Sequence, residues 1–145
     1  MPSRVKVLPA VAALLLVFVA GCNQSLAPVR GTVTYEDGSP VTRGTVVFES
    51  KDVEKPITAR GSIQPDGSYQ LGTLKPGDGV PPGTYRALLA PQADLSDADK
   101  PAAQRTPPLF DERYSDFGTS GLEFEVKSGS NDIPIKIARP ANARR

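Results

Sequence analysis

The chain has 145 residues, with 17 Lys plus Arg against 16 Asp plus Glu, 15 prolines, 13 glycines, one cysteine and no histidine or tryptophan. That length holds one ordinary domain, the balanced charge lacks the concentrated basic face of a nucleic-acid binder, and one cysteine excludes both an intrachain disulfide and a cysteine-based zinc site. Without histidine the commonest general base and every nucleophile–histidine pair are missing, so the sequence predicts no catalytic residue, no metal ligand and no cofactor.

Arg4 and Lys6 precede an apolar run over residues 8–20, interrupted only by Pro9. The run is shorter than the ~20 residues that cross a hydrocarbon core and lies behind positive charge at the N-terminus, the pattern of a secretory signal. It ends in Val19-Ala20-Gly21-Cys22, which resembles the lipobox of bacterial lipoproteins. The resemblance implies cleavage after Gly21, a diacylglyceryl group on the Cys22 thiol and acylation of the freed amine. Each buried acyl methylene contributes ~0.8 kcal/mol, so several chains hold a protein firmly to a bilayer. Residues 1–21 are thus expected to be a signal peptide and residues 22–28 a lipidated N-terminus and tether. Asn23, standing where the enteric inner-membrane retention pattern has Asp, points to the outer membrane in a host with two membranes.

Removal of the signal leaves 124 residues, enough to bury roughly two thirds of the unfolded surface without a metal or disulfide. Val29, Gly31, Val33 and Tyr35 alternate with polar residues as in a half-buried strand. The Asp37-Gly38-Ser39-Pro40 turn follows, then a strand over residues 44–50 with Val46 and Phe48 on one face. Residues 57–72 read as a hairpin around Pro65-Asp66-Gly67. A Pro- and Gly-rich loop over residues 76–83 delivers the apolar strand 84–90. Residues 91–120 lack periodicity. Leu122, Phe124 and Val126 alternate, and Ile133, Ile135 and Ile137 alternate back after a turn at residues 128–131. Pro134 cannot donate to a ladder, which places its strand at an edge or its nitrogen outward. About seven short strands and no convincing helix predict an all-β, antiparallel two-sheet sandwich over residues 29–138, of Ig-like or transthyretin-like type. Its expected core includes Val33, Phe48, Ile63, Leu71, Leu89, Phe124 and Ile135. Residues 139–145, with Arg139, Arg144 and Arg145, read as a solvated basic tail.

Val29-Arg30-Gly31-Thr32-Val33, Asp37-Gly38-Ser39-Pro40-Val41, Asp66-Gly67-Ser68-Tyr69 and Pro82-Gly83-Thr84-Tyr85 resemble the carboxypeptidase regulatory-like, transthyretin-like sandwich. The loop at residues 77–83 and Thr119-Ser120-Gly121-Leu122 further resemble small lipoproteins of planctomycetes. Such motifs specify turns and strands, hence fold rather than function. Transthyretin-like folds include a hydrolase of purine breakdown that uses histidines and a C-terminal Tyr-Arg-Gly-Ser, whereas this sequence has no histidine and reads Asn142-Ala143-Arg144-Arg145 there.

The acids of residues 94–99 lack the central Gly and closing Glu of an EF-hand. Asp37, Asp66 and Asp78 each precede a glycine, as turn chemistry asks. Residues 91–120 carry Phe110, Tyr114, Asp116 and Phe117, and two readings stand side by side: a contact surface on a long irregular connection, or aromatic anchors that pack the loop on the sandwich. The sequence therefore predicts a lipid-anchored, non-catalytic binding or structural module of the cell envelope. Its expected partners are the membrane and an envelope protein or carbohydrate, with no nucleic acid. The competing reading is a small carboxylate-only hydrolase of glycoside type.

Overall fold

A computed structural model describes residues 25–92 and 98–141. The signal, the lipobox residues Val19, Ala20 and Gly21, the acylation site Cys22, the acids at 94–97, and Arg144 and Arg145 lie outside the described residues. The protein is an all-β sandwich of two four-stranded sheets. The first contains β1 (Val29–Tyr35), β4 (Ser68–Gln70), β7 (Asn131–Asp132) and β8 (Ile135–Ile137); the second runs β3 (Thr58–Ser62), β2 (Thr45–Ser50), β5 (Gly83–Ala90), β6 (Leu122–Val126).

The period-two pattern of the sequence is the pattern of burial. Val29, Gly31, Val33 and Tyr35 of β1 point inward and the residues between them outward. Val46 and Phe48 of β2 meet Ala87 and Leu89 of β5 in register, and all four are buried. Of the expected core residues, Val33, Phe48, Ile63, Leu71, Leu89 and Ile135 are buried. Phe124 is not: it is partly exposed and stacks on Phe48 with centroids 5.5 Å apart. Its strand is the outermost of its sheet, so one side of the ring has no neighbouring strand. Val126 closes the core on that strand instead.

The first sheet is mixed rather than antiparallel, because β7 and β8 both run parallel to β1. Strand direction explains it. β5 begins at the end of the sandwich where β1 begins, and β6, antiparallel to β5, must finish there. A short turn over residues 127–130 then passes to the other sheet, so the last segment departs alongside β1 in the same direction. β7 and β8 are one strand interrupted around Pro134, since Val29↔Asn131 and Val33↔Ile135 keep a single register. The amides of Asn131 and Ile133 donate towards β1. The alternate position, Pro134, therefore turns its nitrogen outward on an edge strand, where no donor is needed.

Residues 57–72 also depart from a simple hairpin. β3 pairs with β2 and β4 with β1, so the two arms belong to different sheets and touch through the Arg60↔Gly72 bridge. Two glycines make that crossing possible. A Cβ on Gly61 would stand 2.2 Å from the Gln70 carbonyl oxygen, and one on Gly31 would stand 2.0 Å from the Ile133 carbonyl oxygen and 2.9 Å from the Tyr69 ring. The Tyr69 ring thus lies over Gly31 and its hydroxyl donates to the Ile133 carbonyl at 2.6 Å, tying β4 to the last strand across β1.

Arg139 is exposed, yet it is paired: it lies over the Tyr35 ring, 4.1 Å from its centroid, and its guanidinium donates to Asp37 at 2.8 Å. Asp37 also accepts from the Ser39 amide at 2.9 Å, so the β1–β2 turn and the chain end are fastened together.

Gly31→Ala and Gly61→Ala should each lower unfolding free energy by ~1–3 kcal/mol or more, the cost of overpacking a close-packed interior. Phe124→Ala should cost ~2 kcal/mol, below the ~3–5 kcal/mol of a fully buried aromatic such as Phe48. Urea denaturation of these three variants and of Phe48→Ala, each against the parent protein, checks these values.

Candidate functional site

The crossing of β3 and β4 leaves an open groove of about 1250 Å³ along the seam between the sheets. Its walls include outward positions of three strands: Arg30 and Thr32 from β1, Arg60 and Ser62 from β3, Ser68 and Gln70 from β4. Strand alternation puts these polar residues outside because their neighbours Val33, Ala59 and Tyr69 fill the core. Lys75 and Leu74 stand at one end of the groove and Gln64 near the other.

The Lys75 end is a rigid loop. The Asp78 carboxylate accepts the amides of Thr73 at 2.7 Å, Lys75 at 3.0 Å and Leu74 at 3.2 Å, while the Thr73 hydroxyl donates to the Gly79 carbonyl at 2.8 Å. Desolvation pushes the Asp78 carboxyl upward, but the three amides together outweigh it and hold the group below the ordinary carboxylate range. Asp78 is thus spent on the loop and is not a free acid.

The groove is cationic and poor in acids. Arg30, Arg60 and Lys75 line it, and Asp132 is its only carboxylate. Among the described residues no side-chain hydrogen bond or ion pair engages those three cations. The outer face of the second sheet differs: Arg86 pairs with Glu49 and Lys51 with Glu123, each at 2.9 Å. Aromatic rings do not form the groove's walls either. Tyr69 reaches it, but the ring is buried and the hydroxyl is committed to Ile133. Burial pushes the Tyr69 phenol well above its ordinary range, and the negative charge of Asp132 adds to the effect.

A second, smaller hollow of about 260 Å³ lies between the β2–β3 loop and Pro81-Pro82-Gly83, with Asp52 its single carboxylate. Glycoside chemistry of the two-carboxylate kind needs a pair flanking the bond, and neither hollow is lined by more than one. Among the described residues no group of three His, Cys, Asp or Glu is placed to hold a metal ion.

The residues singled out in the 91–120 stretch are brought together as packing rather than as a free surface. Phe110 and Tyr114 are buried in the core, and the Tyr114 hydroxyl accepts the Ala138 amide at 3.0 Å. Leu109 offers its carbonyl to the Tyr35 hydroxyl at 2.6 Å. Phe117 is half-buried beneath the Arg86 guanidinium, 5.1 Å from its centroid. Asp116 is exposed and caps a turn, accepting the Gly118 amide at 2.7 Å. Asp111 caps the short 3-10 turn Glu112–Ser115 through the Arg113 amide. Of the four, only Asp116 and part of Phe117 face solvent. The seam groove has no linear motif, since its residues come from β1, β2, β3, β4 and β7 and from the β4–β5 loop. The one signal for it was a glycine inside each of two predicted strands, which marks close backbone approach.

No family model and no curated protein matches the chain. Among solved structures, the Bacillus anthracis TIE protein superposes with a TM-score of 0.42 at 18% identity, over 79% of this chain and 17% of that one. This chain therefore spans about a sixth of that protein's length, and so distant a likeness assigns no role.

Tyr69 sets an alkaline limit. A phenol whose pKa is higher folded than unfolded leaves stability untouched below the unfolded value near 10, and stability declines as pH rises from there towards the folded value. Tyr35 and Tyr85 are raised in the same direction by burial. Unfolding free energy should fall above about pH 10, and Tyr69→Phe should be less stable at neutral pH yet flatter over the alkaline range.

Proposed function

We propose that the chain is a lipoprotein of the cell envelope, anchored through Cys22, whose sandwich is a non-catalytic module that holds an acidic glycan along the seam groove. One observation carries the reading of the groove: three unpartnered cations are spaced among hydroxyl and amide side chains, with a single carboxylate and no nucleophile–base pair. Neutral sugars are commonly held by stacking on aromatic rings, which these walls lack. Recognition here falls to charge-assisted hydrogen bonds, and arginine forks suit uronate or sulfate groups. The hydroxyls and amides of Thr32, Ser62 and Gln70 match a hydroxyl-rich polymer rather than an apolar one.

The anchor is supported by sequence: a signal-type segment ends at the only cysteine, behind small residues.

Mass spectrometry of the mature N-terminus should find diacylglyceryl and acyl groups on Cys22, and Cys22→Ser should move the protein from the detergent phase to the aqueous phase. Unmodified Cys22 would refute the anchor. For the groove, calorimetric titration with polygalacturonate oligomers should show binding that weakens with salt, and Arg60→Glu should weaken it by about tenfold, the worth of one charged hydrogen bond. Binding unaffected by Arg60→Glu would move the ligand elsewhere.

A further inference from the structure

The strand directions gather one set of loops at the end where the chain enters from Cys22. β1 and β7 begin there, β4 and β6 finish there, and the β2–β3 and β4–β5 connections turn there. Ser25 is the first described residue, and three residues of chain limit its distance from Cys22 to about 11 Å. Ala27 then pairs with Val80 through two backbone hydrogen bonds, at 2.8 and 2.9 Å. The tether is therefore laid directly against the β4–β5 loop, and a Cβ on Gly79 would stand 2.6 Å from the Ala27 carbonyl oxygen.

Two large apolar side chains are strongly exposed among the described residues, Val53 at 90% and Leu74 at 85%, and both lie on this end. Val53 tips the β2–β3 loop, which lies alongside Pro81 and Pro82, and Leu74 tips the loop clasped by Asp78. Isolated exposed aliphatics are ordinary on a soluble surface. Here both stand on loops beside the tether, and the Asp78 clasp holds the backbone of one of them in place. Lys55, Lys75 and Lys127 belong to the same end, as does Lys51, whose ammonium is paired with Glu123. Their long apolar stems let an ammonium group reach phosphates while its neighbours sit deeper. Asp52 and Asp78 turn their oxygens back onto loop amides.

We propose that this end of the sandwich is seated on the bilayer, with Val53 and Leu74 dipping into the interfacial layer beside the lipid anchor. The inference rests on the anchor at Cys22 and goes beyond it, because a lipid on a tether does not by itself orient a domain. Seating fixes the orientation: the seam groove rises from the membrane surface at Leu74 and Lys75 towards Gln64, and the β1–β2 turn and Phe110 face away. Lysines and acids nearly balance on these loops, so the two aliphatic tips provide the contact and neutral lipid suffices.

The test uses the full lipidated protein in phosphatidylcholine vesicles. With Cys22 acylated, a cysteine introduced by Leu74→Cys or Val53→Cys is the one free thiol and takes an environment-sensitive fluorophore; Thr42→Cys, exposed at the opposite end, is the control. Fluorophores at 74 and 53 should shift to the blue and lose emission to brominated lipid, while the one at 42 does neither. Vesicle flotation of the same samples reads the anchor separately. Flotation with all three fluorophores in water would overturn the seating alone. Failure of the parent protein to float would overturn the anchor and the seating together.

Discussion

The structure turns on a close approach of backbones. β4 is only three residues long and is held between two positions that carry no side chain, Gly31 on β1 and Gly61 on β3. Remove that space and Tyr69 cannot lie across β1 to reach the Ile133 carbonyl, nor can Gln70 pass against β3. The arrangement connects the two sheets at one seam, fastens the last strand to β4 over the top of β1, and leaves the outward residues of three strands facing a common groove. A buried hydroxyl on a carbonyl contributes ~1 kcal/mol net, but leaving either group unpaired costs ~1–3 kcal/mol. The hydrogen bond therefore matters less for its attraction than for fixing where β4 can sit.

The same geometry divides the molecule by role. The described part of the 91–121 stretch spends Phe110 and Tyr114 on packing and Asp111 and Asp116 on turn caps. On the outer face of the second sheet, Arg86 and Lys51 are paired with Glu49 and Glu123. In the seam groove Arg30, Arg60 and Lys75 have no such partner among the described residues. Apolar side chains without a partner are left at the tether end. What sets the groove apart is its concavity, which gathers three cations around a single carboxylate, and what sets the tether end apart is its pair of exposed aliphatic tips.

Much of the fold was legible in the sequence because alternation encodes one face of a strand. Val29 to Tyr35 and the isoleucines around Pro134 were placed correctly by period two alone, and Pro134 announced an edge or an outward nitrogen, of which the structure has both. Alternation says nothing about which sheet a strand joins. Residues 57–72 looked like a hairpin because the Asp66-Gly67 turn is local, whereas the separation of β3 from β4 is decided by partners elsewhere in the chain. The parallel pairing of the last strand is likewise a consequence of where β6 ends. Phe124 has the right face and the wrong depth, since depth depends on the absence of a further neighbour. Phe110 and Tyr114 show the same limit: aromatics in an irregular stretch serve as anchors or contacts, and only the packing distinguishes them. The lipobox and its cysteine were legible as a motif, while the groove, assembled from residues on several strands and a loop, was visible only as two glycines in strand interiors.

The account joins the glycine seam to a ligand, so the most direct measurement asks where a ligand lands. In a nitrogen-15 NMR titration of residues 25–145 with a polygalacturonate oligomer, the account predicts that amide shifts concentrate on Arg30, Arg60, Gln70 and Lys75, with the 91–121 stretch unmoved. Shifts centred on Asp116 and Phe117, or spread evenly over the surface with the groove silent, would contradict it.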